Sequence, residues 1–210
     1  MSRVRVKICG ITRPEDADAA VQLGADAIGF VLWPKSPRAA SVDDAARIAA
    51  ALPPFVTRVG VFVNPSLNEV RDAVARIGLD VVQLHGDETP AAFRAIEARC
   101  MKATSLASDD DVRIAAAWAP EIVPLVDAAD VERRGGTGIV ADWDRAARLS
   151  FVRPIVLAGG LTAENVRDAI AAVRPWAVDT SSGVEERPGI KSRERMARFF
   201  AAVAAGSEER

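Results

Sequence analysis

Residues 154–183 read PIVLAGGLTAENVRDAIAAVRPWAVDTSSG, and this stretch decides the fold. A short apolar run, Pro154–Leu157, gives way to Ala158-Gly159-Gly160. Thr162 then stands at the start of an Ala-rich helical segment, and a second run, Trp176–Val178, ends in Asp179-Thr180-Ser181-Ser182-Gly183. A strand, a glycine turn, an N-capping hydroxyl, a helix and another strand make one βα unit. Its two runs start 22 residues apart.

Outward from here the same alternation fills the chain. Earlier runs centre on Val4–Ile8, Ala27–Leu32, Arg58–Val63, Val81–Leu84, Met101–Thr104 and Ile122–Val126, so successive starts are separated by 23, 31, 23, 20, 21, 32 and 22 residues. Helix starts recur between them: Pro14 followed by Glu15 and Asp16, Ser66, and Thr89-Pro90. A proline in the first turn, acidic residues at the positive end of the helix dipole and a capping hydroxyl are the expected signals. Eight evenly spaced units predict a single α/β domain, a (β/α)8 TIM barrel of eight parallel strands with surrounding helices; an open doubly wound sheet would use fewer strands. The barrel is expected over residues 1–205, with 206–210 as a polar C-terminal tail.

Composition narrows the function. The 210 residues carry 27 basic and 29 acidic side chains, a net charge of −2, which offers no footprint for nucleic acid and no polybasic membrane anchor. No apolar run reaches membrane-spanning length. The alternation from Arg3 to Ile8 is unlike a signal peptide, so a cytoplasmic location is expected. Cys9 and Cys100 are isolated and His85 is the single histidine, which argues against a disulfide framework or a metal site.

In such barrels the chemistry collects where strands run out into helices. Unusual residues do cluster there: Cys9-Gly10, Trp33 to Arg38, Asn64-Pro65, His85-Gly86-Asp87-Glu88, Asp127, Gly159-Gly160 and Asp179 to Gly183. Gly159, Gly160, Ser182 and Gly183 follow the last two strands, where close backbone approach and exposed N–H groups hold a phosphate. Gly135-Gly136-Thr137-Gly138 lacks dinucleotide-fingerprint spacing and reads as a lid segment.

Four residues qualify for acid–base work: Cys9, His85, Asp127 and Asp179. His85 is the default base, although lone strand-end histidines are often structural. Lys7, two residues before Cys9, projects on the same face, and its ammonium would favour the thiolate. Asp127 ends the sixth run and should point into the mouth from the far side, giving a thiol and a carboxyl across one pocket. Arg38, in a proline-stiffened loop, suits a ligand carboxylate. Trp33 and Phe30 are expected near this mouth, Trp118 and Trp176 in packing, and Cys100 in packing at the closed end.

Taken together these segments resemble the phosphoribosylanthranilate isomerase family over essentially the whole chain. The resemblance is carried by Lys7-Ile8-Cys9-Gly10-Ile11-Thr12, Ser36-Pro37-Arg38, Gly60 to Asn64, Gln83 to Glu88, Gly135 to Gly138 with Asp142-Trp143, Leu157 to Leu161, and Val178 to Glu185 with Pro188 to Lys191. It implies an Amadori rearrangement of N-(5′-phosphoribosyl)anthranilate to the 1-amino-1-deoxyketose in tryptophan biosynthesis. Asp127 would be the general acid at the ring oxygen and Cys9 the general base at C2′. Arg38 would hold the anthranilate carboxylate, Gly159, Gly160, Ser182 and Gly183 the phosphate, and His85 and Asp179 would contact substrate. No cofactor is implied, because the iminium is the electron sink; the partner is a small phosphorylated substrate, and the chain is a monomer or homodimer. Ala128, Ala129, Glu132 to Arg134 and Ser192 depart from the family pattern.

Three alternatives are set against this. A related phosphoribosyl aminoimidazole isomerase would use two aspartates and a second anion site. A metal-dependent epimerase would need more histidines than His85. A non-catalytic phosphate-binding barrel would be expected to lose Cys9 or Asp127.

Overall fold

Eight parallel strands close on themselves in chain order, with β1 hydrogen-bonded to β8. The computed structural model describes residues 3–89, 91, 96, 98–127 and 142–208. The strands are β1 Arg5–Cys9, β2 Ala27–Val31, β3 Thr57–Phe62, β4 Val81–Leu84, β5 Arg99–Thr104, β6 Ile122–Val126, β7 Val156–Leu157 and β8 Ala177–Thr180. Helices α1 Pro14–Gln22, α2 Val42–Ala50, α3 Leu67–Ala73, α4 Asp109–Ala116, α5 Trp143–Val152, α6 Val166–Val173 and α7 Arg193–Glu208 lie between or after them. A small hairpin, β9 Glu185–Arg187 with β10 Ile190–Lys191, follows β8. Gly135 to Gly138, Ala128, Ala129, Glu132 to Arg134 and Pro90 fall outside the described residues.

The alternation of side chains along each strand makes two cores. Ile8, Ile28, Phe30, Phe62, Val82, Leu84, Leu157 and Val178 belong to one buried cluster with helix residues such as Ile48, Val70, Leu149 and Phe199. Val59, Met101, Leu125, Val156 and Ala177 form a separate cluster inside the barrel. Phe30 therefore packs under the helices and is not at the mouth, because it alternates with the inward Gly29 and Val31. Trp118 packs against the outer core as expected. Trp176 is half-exposed, with the Arg5 guanidinium 4.5 Å from its ring centre.

The helix signals place most starts. Pro14 opens α1 with Glu15 and Asp16 in its first turn. Ser66 caps α3 in a reciprocal box with Glu69. Thr162 does not cap α6 directly: its oxygens accept from Glu164 and Val166 in a turn that delivers the chain to Asn165, and α6 begins at Val166. Ser192 precedes α7 and its Oγ accepts from Arg195 N–H, so the departure from the family pattern keeps a capping oxygen. The polar tail does not begin at residue 206. Helix α7 runs to Glu208 because Gly206 is buried against Arg167 and Ile170 and Ser207 Oγ accepts from Val4 N–H.

Candidate active site

At the C-terminal ends of the strands lies a cavity of about 410 Å³. Cys9, Arg38, His85, Asp127, Gly159, Gly160, Asp179 and Ser182 all line it, so eight of the nine expected site residues meet there. Trp33 lines it too, as expected. At the opposite end a hollow of about 990 Å³ is bordered by Phe55, Leu79 and the half-buried Cys100. Burial there pushes the Cys100 thiol up to about 11, which fits a packing role.

One wall is built by the barrel's closing strands. Register pairs Lys7 of β1 with Asp179 of β8, and Lys7 Nζ donates to Asp179 Oδ2 at 2.9 Å. Gly29 makes room for this group: a Cβ there would sit 2.9 Å from Cys9 Sγ and 3.0 Å from Lys7 Cε. Burial works against the Lys7 ammonium, but Asp179 and Cys9 outweigh it and push its pKa up to about 12. The expected easy thiolate is corrected by the same cluster. Burial pushes the Cys9 thiol above its ordinary value, Lys7 and Lys191 pull it down less, and Asp179 adds a like charge that opposes them. Asp179 Oδ1 is buried and has no hydrogen-bond partner among the described residues.

Across the cavity Asp127 ends β6, its N–H donating to Thr104 O at 3.0 Å. Its Oδ2 lies 3.2 Å from His85 Nε2, and His85 Nδ1 lies 3.1 Å from Gln83 Nε2. His85 thus faces the acid candidate rather than standing as an independent base.

A third cluster surrounds Arg38. Its Nε and Nη2 donate to the Glu185 carboxylate at 3.0 and 2.8 Å, which fixes one edge of the guanidinium. Its aliphatic stem crosses Gly10, where a Cβ would lie 2.9 Å from Arg38 Cδ. Lys191 Nζ donates to Glu185 Oε1 at 2.7 Å and to Ser181 Oγ at 3.3 Å, and Ser181 Oγ donates to Cys9 O at 2.9 Å. Burial works against the Glu185 carboxylate, yet Arg38 and Lys191 hold it below the ordinary range. Burial pushes Lys191 below its ordinary value despite Glu185. Glu185, Lys191 and Gln83 enter the sequence analysis only as members of the motif blocks, with no chemical task given to them. Glu185 and Lys191 sit at the two ends of the hairpin β9–β10, and Gln83 sits within a strand; their burial as polar side chains is what marks them out.

The glycine loops complete the rim. Gly159 and Gly160 adopt left-handed φ of +81° and +62°, which turns the chain sharply after β7. Gly183 does not line the cavity. A Cβ there would lie 2.0 Å from Leu161 O, so this glycine lets the turn Ser182–Val184 press against the loop after β7. Thr180 Oγ1 donates to the same Leu161 O at 2.8 Å, and the two loops form one backbone-lined edge.

The N-(5′-phosphoribosyl)anthranilate isomerase family model matches residues 6–202. The enzyme of that name from Halorhodospira halophila is 49% identical over 207 residues, covering 98% of this chain and 99% of that one. A crystal structure of phosphoribosyl anthranilate isomerase with reduced 1-(o-carboxyphenylamino)-1-deoxyribulose 5-phosphate matches with a TM-score of 0.85 and 43% identity, over 96% of this chain and 98% of that one. Monomers generated from the dimeric Thermotoga maritima enzyme match with a TM-score of 0.85 and 41% identity, over the same 96% and 98%.

Proposed function

The chain belongs to the N-(5′-phosphoribosyl)anthranilate isomerase family, and from that premise we propose that Cys9 and Asp127 are its base and acid. The reaction is the Amadori rearrangement of N-(5′-phosphoribosyl)anthranilate in tryptophan biosynthesis, an aldose–ketose isomerisation. One observation carries the assignment: a thiol on β1 and a carboxyl after β6 face one cavity, flanked by a clamped guanidinium and a backbone-lined edge.

Asp127 gives its proton to the furanose ring oxygen. The C1′–O bond breaks as the anilino nitrogen lone pair forms the C1′=N iminium. Cys9, as thiolate, then removes the C2′ proton; the freed electron pair forms C1′=C2′ and the iminium pair returns to nitrogen. The resulting enolamine takes a proton at C1′ and gives up its C2′ hydroxyl proton, which leaves the ketone at C2′. Donor and acceptor must address different atoms, which two opposed walls permit.

Arg38 presents its remaining N–H groups to the anthranilate carboxylate. The phosphate rests on the backbone of Gly159, Gly160 and Ser182, and Gly183 serves it only by letting the turn press against the loop after β7. Asp179 Oδ1, buried without a partner among the described residues, accepts from a ribose hydroxyl. His85 acts on substrate through Asp127. Residues from the first strand to the end of α7 work as one barrel. No described helix is long and apolar enough to cross a membrane. A substrate carrying phosphate and carboxylate does not pass a bilayer unaided, which supports a cytoplasmic location. The dimeric relative supports a homodimer over a monomer.

The decay of substrate fluorescence under saturating conditions tests this. Cys9→Ser and Asp127→Asn are each expected to lose about 10²- to 10⁴-fold in kcat while binding the reduced product analogue as the parent does. Near-parental turnover by either variant removes that residue from its role.

A further inference from the structure

Gln83 is 1% exposed on the inner wall of β4, and the steps above give it no task. Its Nε2 meets His85 Nδ1, His85 Nε2 meets Asp127 Oδ2, and its own Oε1 is buried without a hydrogen-bond partner among the described residues. We infer that Gln83 is a positioning residue that fixes His85 as the neutral Nε2–H tautomer. That ring then donates to Asp127 Oδ2. This rests on Asp127 being the general acid.

The amide can lie either way round, and the unpartnered atom decides between them. In the orientation described, a carbonyl oxygen lacks a partner. Turned over, the buried atom without a partner would be an NH2 with two donors, and unmet buried N–H groups are the rarer and costlier case. Gln83 therefore donates, Nδ1 accepts, and the single ring proton sits on Nε2. The ring is held by its backbone as well: His85 N–H donates to Phe62 O at 2.8 Å, and Lys102 Nζ donates to Gly86 O at 2.6 Å.

Neutrality matters as much as direction. An imidazolium at this position would hold Asp127 as a carboxylate and remove the acid. A neutral Nε2–H donor stabilises the Asp127 carboxylate once its proton has gone to the substrate oxygen. The same hydrogen bond is thus stronger after the transfer than before it, which is what lowers a barrier.

His85 is the single histidine in the chain, so ring-15N labelling reports one imidazole without assignment. The full-length protein is expected to show a neutral ring with its proton on Nε2. Gln83→Leu removes the donor to Nδ1; the spectrum moves toward mixed tautomers and kcat falls about tenfold to a hundredfold, with KM within twofold. Gln83→Glu places a carboxylate against Nδ1; both nitrogens become protonated and kcat falls further. A parental ring protonated on Nδ1 or on both nitrogens overturns the proposal, as does a Gln83→Leu variant with parental kcat or with an unchanged tautomer. Binding of the reduced product analogue verifies folding, and if a variant fails to fold the parental spectrum alone decides. Full activity in Asp127→Asn would instead defeat the acid assignment, while leaving the tautomer measurement to stand.

Discussion

Replacing Glu185 by Gln removes one negative charge from between two cations that have little access to water. The Arg38 side chain is 12% exposed and that of Lys191 is fully buried, and both donate to the Glu185 carboxylate. Breaking a buried pair by removing one partner costs about 3–5 kcal/mol, because the other charge stays buried. The amide oxygen still accepts from Lys191 and from Gly189 N–H, which puts the loss near 3 kcal/mol. For a chain of this length that is a fall in Tm of roughly 6–12 °C at neutral pH. The deficit also has a pH sign. Lys191 is already held below its ordinary value, and losing Glu185 lowers it further. The unfolded chain then binds more protons than the folded one, so the variant regains stability as pH rises from 7 toward 10. Thermal melts at several pH values, with KM measured alongside, form the assay. KM is expected to rise because the guanidinium edge is no longer held, with kcat less affected. A Tm within about 2 °C of the parent at pH 7, or a deficit that widens toward pH 10, refutes the reasoning.

Two further outcomes follow from the site. Because burial holds the Cys9 thiol above its ordinary value of about 9, the thiolate fraction grows with alkalinity; kcat/KM should climb with pH through and beyond 9, and a plateau already reached at neutral pH would contradict it. Gly183→Ala drives a Cβ to 2.0 Å from Leu161 O and must part the two glycine loops, so KM for the phosphorylated substrate should rise at least tenfold; parental KM would show that the loops separate freely.

Much of the barrel is legible before any coordinates, because inward and outward side chains alternate within short β-branched runs and each run must return by a helix. The runs Val81–Leu84 and Ile122–Val126 coincide with β4 and β6. Others shift for local reasons. Strand β7 keeps only Val156–Leu157, since Pro154 has no N–H to donate, and β8 extends through Thr180 because Asp179 pairs with Lys7. Cys9, Asp127 and Arg38 are readable as strand-end chemistry. The ion pairs around them are not: Glu185 lies 147 residues from Arg38, and Asp179 lies 172 from Lys7. The thiol's burial is equally hidden, because one neighbour in sequence, Lys7, announces a cation while its neutralising aspartate arrives from the far end of the chain.

The Lys7–Asp179 pair also orders events in time. Strand β1 is the first made during synthesis and β8 the last, and only their union joins the ammonium to its carboxylate beside Cys9. The chain therefore carries its thiol through almost the whole of translation with Lys7 lacking its counter-ion. Because Cys9 lies on β1 and Asp179 on β8, the site is whole only when the cylinder is sealed, so activity regained in a refolding experiment marks molecules in which β1 and β8 have joined.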